Sequence, residues 1–415
     1  MRISTSQQFE QSVRVMLDQQ AQLAHTQAQL GSGQRIQAPS DDPAGARRVL
    51  ALQDQLAELE QYGRNGDAAT ARLGIEENAL AGVIGVLQRA RELAVAAGSP
   101  ALGQDSLAAQ AGELRQLGEQ LLGMANTRDA NGEYLFSGYR GTTQPFLRGA
   151  DGSVTYAGDQ GQRLAQIGAS RTVATGDAGD AVFTGIRAGN GHFTALADPA
   201  NTGTGVILPG AVVDMNQWLA GRDQYRIAFV TNAAGELAYQ ITGSNSGQLV
   251  PAPPAVAPDA APAWQVGADL QFQGVQVRIE GQPAVGDQFE VAPSGARDVF
   301  AMIEDLAAAL AAPADTPAQR TAQRNDINRA LSDFDRALAH LGEVRSAVGG
   351  RLTAIDRQRE LNDDLLLHSQ SLLAEVAALD YAAAISRLSQ QQLALDAAQQ
   401  AYLRVQGLSL FDHLG

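Results

Sequence analysis

Thr316-Pro317-Ala318-Gln319 opens, and Leu414 closes, a run of 99 residues in which apolar side chains recur at helical spacing. Leu338, Leu341, Val348, Leu352 and Ile355 come first, then Leu366, Leu373 and Val376; a shifted register follows with Tyr381, Ile385, Leu388, Leu395 and Tyr402. That repeat is the seam of a helix packed on another helix. The opening reads as a capping box with Pro at the first helical position, where the missing N–H costs nothing. Unbroken, the run would extend ~150 Å at ~1.5 Å per residue. Even kinked at Gly349-Gly350 it outgrows one compact domain and needs partners along its length.

The other end of the chain supplies a matching pattern. Phe9, Val13, Met16, Leu23 and Leu30 repeat with 4-3 spacing, with Gln20 and Gln27 on the same stripe. Gly31, Gly33 and Pro39 interrupt it, and Asp42 then reads as an N-cap with Pro43 behind it. Val49, Leu52, Leu56 and Leu59 resume the stripe, followed by Leu73, Leu80 and Leu87 and, past a break at Gly98-Ser99-Pro100, by Leu107, Leu114, Leu117 and Leu121.

Between the arms the composition changes. Residues 140–300 hold 23 of the 43 Gly and 10 of the 15 Pro. Residues 225–230 and 236–241 flank Asn232-Ala-Ala-Gly235 as a hairpin, and 270–279 with 286–291 read as a second strand cluster. PAPPAVAPDAAP, residues 251–262, reads as an exposed extended loop. The expected fold is α+β: a long antiparallel helical bundle built from both termini, with an inserted mostly-β domain.

The chain of 415 residues carries 30 basic and 45 acidic side chains, a formal charge of −15; every basic residue is Arg, and Cys is absent. Disulfides, thiolate metal sites and Cys nucleophiles are excluded. An acidic chain without an Arg-rich run argues against nucleic acid. No apolar run reaches the ~18 residues of a membrane span, and the start lacks the apolar core of a cleaved signal. The five His (25, 192, 340, 368, 413) share no helical turn, and Asp41-Asp42 and Asp363-Asp364 read as cap and solvated surface. No Walker loop, dinucleotide fingerprint or nucleophile elbow occurs, so neither an active site nor a cofactor is expected. The terminal stripes are too thin to offset the ~1–2 kcal/mol per residue of ordering. The arms should therefore pair and leave a residual stripe, including Leu408, Leu410, Phe411 and Leu414, for other subunits.

At several points the arms resemble the flagellin superfamily, and within it the flagellar hook-associated protein 3 family. Met-Arg-Ile-Ser-Thr at the start is similar to that family's opening, and Ser40-Asp41-Asp42-Pro43-Ala44-Gly45 to its loop. Gly132-Glu133-Tyr134-Leu135-Phe136-Ser137-Gly138 is the segment that sets this branch apart from ordinary flagellin. Leu341-Gly342, Arg345, Gly349, Arg351-Leu352, Asp380-Tyr381, Ala384-Ile385 and Gly407-Leu408-Ser409-Leu410-Phe411 match the C-terminal block, and Gly286-Asp287-Gln288-Phe289 resembles a middle-domain motif.

The resemblance implies a non-catalytic structural protein joining hook to filament. It would be exported through the flagellar type III channel without a cleaved signal peptide, assembled extracellularly as a ring of identical subunits, and escorted by an export chaperone. Hook-associated protein 1 and flagellin would be its axial partners. Residues 1–35 and 376–415 would form inner-tube helices, 36–139 and 297–375 an outer helical shell, and 140–296 a projecting β-rich domain. The assembly interface expected on the terminal helices comprises Phe9, Val13, Met16, Leu23, Leu30, Tyr381, Ile385, Leu388, Leu395, Tyr402, Leu408, Leu410, Phe411 and Leu414. Flagellin itself is the nearest alternative. A catalytic middle domain on a flagellin-like scaffold and a secreted coiled-coil effector or adhesin stand further off.

Overall fold

The computed structural model describes residues 5–99 and 101–411, and side chains except those of 5, 6, 8 and 405–411. Leu414, the first four residues and Pro100 lie outside that range, as do the side chains of Leu408, Leu410 and Phe411. The helices are α1 Thr5–Ser32, α2 Pro43–Ala97, α3 Gln104–Ala125, the short α4 Met215–Gly221, α5 Val299–Ala311, α6 Pro317–Ala377 and α7 Tyr381–Phe411. The capping box at the start of α6 is formed: Thr316 N donates to Gln319 Oε1 at 2.9 Å, and Gln319 N to Thr316 Oγ1 at 3.2 Å. α6 runs unbroken through Gly349-Gly350, with Val348 and Ile355 buried on either side, and ends at Ala377.

The chain divides into two compact units: residues 1–65, 167–169 and 357–415, and residues 66–166 and 170–356. In the second unit, α2 buries two rows of seven-residue period, Leu73-Leu80-Leu87-Ala94 and Ala69-Glu76-Val83-Ala90-Ala97. α6 answers with Ile327-Phe334-Leu341-Val348-Ile355, and α3 and α5 pack together with Leu107, Leu114, Leu121, Ile303, Leu306 and Leu310 buried. These are coiled-coil periods, and every member but Glu76 is uncharged.

The middle of the chain runs through β1 Phe146–Arg148, β2 Val154–Tyr156, β3 Leu164–Gly168, β4 Arg171–Ala174, β5 Ile186–Arg187, β6 Phe193–Ala197, β7 Val206–Ile207, β8 Ala211–Val212, β9 Tyr225–Thr231, β10 Leu237–Gly243, β11 Gly247–Val250, β12 Asp269–Phe272, β13 Val275–Glu280, β14 Gln288–Pro293 and β15 Ala296–Arg297. A five-stranded antiparallel sheet has the order β11-β10-β9-β14-β6, and a smaller one the order β12-β13-β7 with β8 against β13. Alternate residues Tyr225, Ile227 and Phe229 of β9 and Val275, Val277 and Ile279 of β13 turn into one core with Phe193, Trp218 and Phe289.

The β9–β10 hairpin closes as read from the sequence. Asn232 Oδ1 accepts the Ala234 and Glu236 amides, and Gly235 takes φ +80°. The strand 286–291 is placed differently: as β14 it sits between β9 and β6, while β12 and β13 form their own hairpin. The Pro-rich 251–262 segment curls around Gln248, whose amide nitrogen donates to Pro251 O and Ala255 O at 2.7 Å, so it is turned rather than extended.

Candidate assembly interface and family motif

In the first unit, α1 and α7 pack side by side, with the Phe9 and Tyr402 rings 5.3 Å apart. Leu395 is buried in this pair, and Val13, Met16, Leu23, Leu30, Leu388 and Tyr402 are half-buried. The residues buried most deeply were not on the expected stripe: Thr26, Gln29 and Ala384. Gln20 and Gln27 instead face solvent. Thr26 is tolerated because its hydroxyl donates to Gln22 O at 3.0 Å; the Gln29 amide nitrogen donates to Arg35 O at 2.6 Å, while its buried Oε1 has no protein partner among the described residues.

Tyr381 and Ile385 do not enter this seam. Ile385 is 54% exposed, and so are Leu393 (73%) and Leu403 (64%), which the single-stripe reading missed. Ile385 and Leu403 lie eighteen residues, about five turns, apart and share one helix face. Following the face of Ile385 along α7 would have found Leu403. Val15 and Leu17 of α1 and Leu361, Leu365 and Leu367 of α6 are exposed in the same unit.

Both arms break where a short cross-arm bridge forms. Arg35 N donates to Ala377 O (2.8 Å), Leu379 N to Gly33 O (3.1 Å), and the Arg35 guanidinium to Val376 O (3.1 Å). Gly33 needs its φ of +72°, and a Cβ there would stand 2.6 Å from Tyr381 Oη. Asp380 caps α7 through Ala383 N at 3.0 Å.

The Ser40-Asp41-Asp42-Pro43 loop is fixed by its carboxylates. Asp41 Oδ2 accepts the Gln37 and Ala38 amides at 3.0 Å, and Asp42 Oδ1 accepts Gly45 N at 2.9 Å as the N-cap of α2. These amides, Ala38 and Gly45 foremost, hold both carboxyls below the ordinary range. Ser40 is exposed.

In the second unit, the segment 132–138 is a packed knot. Phe136 is fully buried, its ring 5.0 Å from Phe183, and Phe146 meets Phe183 and Phe300 at 5.3 and 5.2 Å. Leu135 N donates to Thr127 O (3.0 Å), Ser137 Oγ to Tyr134 O (3.1 Å), and Asp129 Oδ1 accepts Glu133 N (3.0 Å). Arg72 of α2 pairs with Asp129 and, at 3.6 Å, with Glu133. Gly132 and Gly138 have φ of +80° and +69°, and a Cβ on Gly138 would collide with the Asp159 carboxylate and carbonyl. Backbone shape and burial therefore account for the glycines and for Phe136 of this segment.

Beside this knot lies Glu76, 1% exposed in the α2 seam. Its Oε1 accepts Asp177 N at 3.1 Å, and its Oε2 has no protein partner. Arg351 holds the Asp177 carboxylate bidentately at 2.8 and 2.9 Å. Burial first, and the Asp177 charge second, push the Glu76 carboxyl up to about 8. Sequence reasoning did not single it out. Its place in the seven-residue row was the available signal. Among the described residues no cluster of His and carboxylates suited to a metal occurs, and no helix is long and apolar enough to cross a membrane.

Two helical arms with heptad seams, bridged where both break and separated by an inserted β region, define a protein of the flagellin type. The model for the bacterial flagellin N-terminal helical region matches residues 3–141. Flagellar hook-associated protein 3 of Escherichia coli (strain K12) is 25% identical over 412 residues, 99% of each chain. The crystal structure of flagellar hook-associated protein 3 from Legionella pneumophila superposes with TM-score 0.76 at 32% identity, over 79% of this chain and 98% of that one. A second structure, of the flagellar junction protein FlgL from Legionella pneumophila, gives TM-score 0.73 at 31% identity over 80% and 99%. Flagellins of Vibrio parahaemolyticus, Bacillus subtilis and Halalkalibacterium halodurans match over 31%, 26% and 28% of the chain. The chain belongs to the flagellar hook-associated protein 3 (FlgL) family. That family is a structural component of the flagellum, not known as catalytic, so the chain's place is flagellar and its associations are with other flagellar components.

Proposed function

We propose that the chain forms the junction between flagellar hook and filament, with hook-associated protein 1 on one side and flagellin on the other. Identical subunits form a ring, in which residues 1–35 and 376–415 line the inner tube and 36–139 with 297–375 surround it. Residues 140–296 project outward. The subunit reaches this extracellular position through the flagellar export channel without a cleaved signal, escorted by an export chaperone. A chain with no Cys and long, thin helical ends suits passage in an unfolded state.

The observation that carries this reading is the set of apolar side chains Tyr381, Ile385, Leu393 and Leu403, left exposed after α1 and α7 have paired. Packing it against further subunits would remove that apolar area from water. The test is the double variant Ile385→Asp with Leu403→Asp, expressed in place of the native chain. Exposed positions leave the fold intact, so the secreted monomer should melt at the native temperature. Filaments should be missing and flagellin should accumulate in the medium. Normal swimming by this strain would refute the proposal.

A further inference from the structure

β6 is an edge strand, and its register shows which backbone groups are free. Asp198 N donates to Gln288 O at 3.0 Å, so Thr194, Leu196 and Asp198 turn toward β14. The neighbouring residues of β14 turn to β9, since Phe229 N donates to Asp287 O at 2.9 Å. Ala195 and Ala197 therefore direct N–H and C=O outward. Among the described residues no hydrogen bond reaches either from that side. The strand, Phe-Thr-Ala-Leu-Ala, carries none of the charges, prolines or bulges by which edges are usually protected.

These groups face a cleft of about 130 Å³ between β6 and α6. Its far wall is cut low by small α6 side chains, Ala318, Thr321 and Ala322. A narrower recess of about 20 Å³ continues it along β6 past Ile207. α6 already imitates a strand once here: Asn325 Oδ1 accepts Ile207 N at 2.9 Å and its Nδ2 donates to Gly205 O at 3.2 Å. Of the charged groups in the cleft, Arg329 is paired with Asp326 at 3.1 Å, and Asp198 accepts only the Ala200 amide. The cleft is thus one charge negative.

A helix standing beside an open strand edge forms a groove that takes extended peptides, main-chain bonds giving affinity and the pocket giving specificity. We propose that this cleft binds an extended peptide segment of another protein, which pairs with Ala195 and Ala197 and lowers one basic side chain between Asp198 and Asp326. The inference concerns residues 193–329 and is independent of the junction role.

The probe is fluorescein-labelled Thr-Val-Arg-Val-Thr, titrated onto the full chain by fluorescence anisotropy. N-methylating its second and fourth amides, or instead its first, third and fifth, blocks opposite edges of the peptide. One set should weaken binding about tenfold or more and the other should leave it within about twofold. Replacing Arg by Glu in the probe should also cost about tenfold or more. Ala197→Pro removes an outward donor at a position where an edge strand accepts Pro, and should abolish binding with unchanged melting. The methylated probes decide the matter on the native chain should that variant fold poorly. Absence of saturation at about 1 mM, equal binding of both methylated sets, or survival of binding in Ala322→Leu would overturn the proposal. So would chain dimerisation that Ala197→Pro abolishes, since the edge would then serve a second copy.

Discussion

Replacing Glu76 by Gln should stabilise the protein at alkaline pH and leave it nearly unchanged in acid. Glu76 occupies a position that Ala69, Val83 and Ala90 fill elsewhere in the same row, and it is 1% exposed. Its ionised form is disfavoured by burial and by the Asp177 carboxylate, and favoured by the Asp177 amide and by Arg351. The balance raises it from 4.5 to about 8. A folded-state value above the unfolded one means that the native state binds the extra proton between those limits. Its stabilising contribution is therefore complete below pH ~4.5, declines as pH rises to about 8, and is flat beyond. At ~1.4 kcal/mol per tenfold change in proton activity, the decline is on the order of 5 kcal/mol. Gln keeps the volume and the acceptor for the Asp177 amide but cannot ionise. Chemical denaturation of both full chains at pH 5, 7 and 9 isolates the effect as a difference, cancelling all other titrations. The variant should gain steadily with pH and be more stable by several kcal/mol at pH 9. A constant difference across the range, or a variant weaker than native at pH 9, would refute the reasoning.

Three further outcomes are expected. Gly138→Ala combines a positive φ with overlap on Asp159 and should cost ~2–3 kcal/mol, read as a lower melting temperature. Phe136→Ala leaves a cavity beside Phe183 at a fully buried position and should cost ~3–5 kcal/mol by denaturant titration. Gly33→Ala strains the cross-arm bridge from both φ and the Tyr381 hydroxyl, so amide exchange should accelerate at Arg35 and Leu379; Tyr381→Phe should restore only part of the protection.

The arms were legible because a seven-residue repeat is a long signal. Leu73, Leu80, Leu87, Leu341 and Val348 all lie in the seams that their spacing places them in. Local capping chemistry was equally readable at Thr316 and Asp42. What failed was information carried by partners. The pattern of 286–291 identifies a strand and its faces but not which neighbour it bonds, so its place beside β9 could not be read. Glycines cost a helix only ~1 kcal/mol each, a penalty that buried Val348 and Ile355 offset at Gly349-Gly350. The true break, at 378–380, comes where a carbonyl of the other arm offers Leu379 N a bond and Asp380 offers a cap. On α1 and α7 the expected stripe was only partly the seam, since Thr26 and Gln29 are buried in place of Gln20 and Gln27. A polar residue that finds a local backbone acceptor, as the Thr26 hydroxyl and the Gln29 amide nitrogen do, can occupy a seam, and hydropathy does not register it.

The absence of native Cys allows the most direct test of the proposed interface. Single variants Ile385→Cys and Leu403→Cys, with Val256→Cys as an exposed control in the middle domain, would be labelled with a maleimide as secreted monomer and in purified flagella. The expected result is rapid labelling of all three in the monomer and loss of labelling at 385 and 403, but not at 256, in flagella. Equal reactivity of positions 385 and 403 in both states would contradict the account.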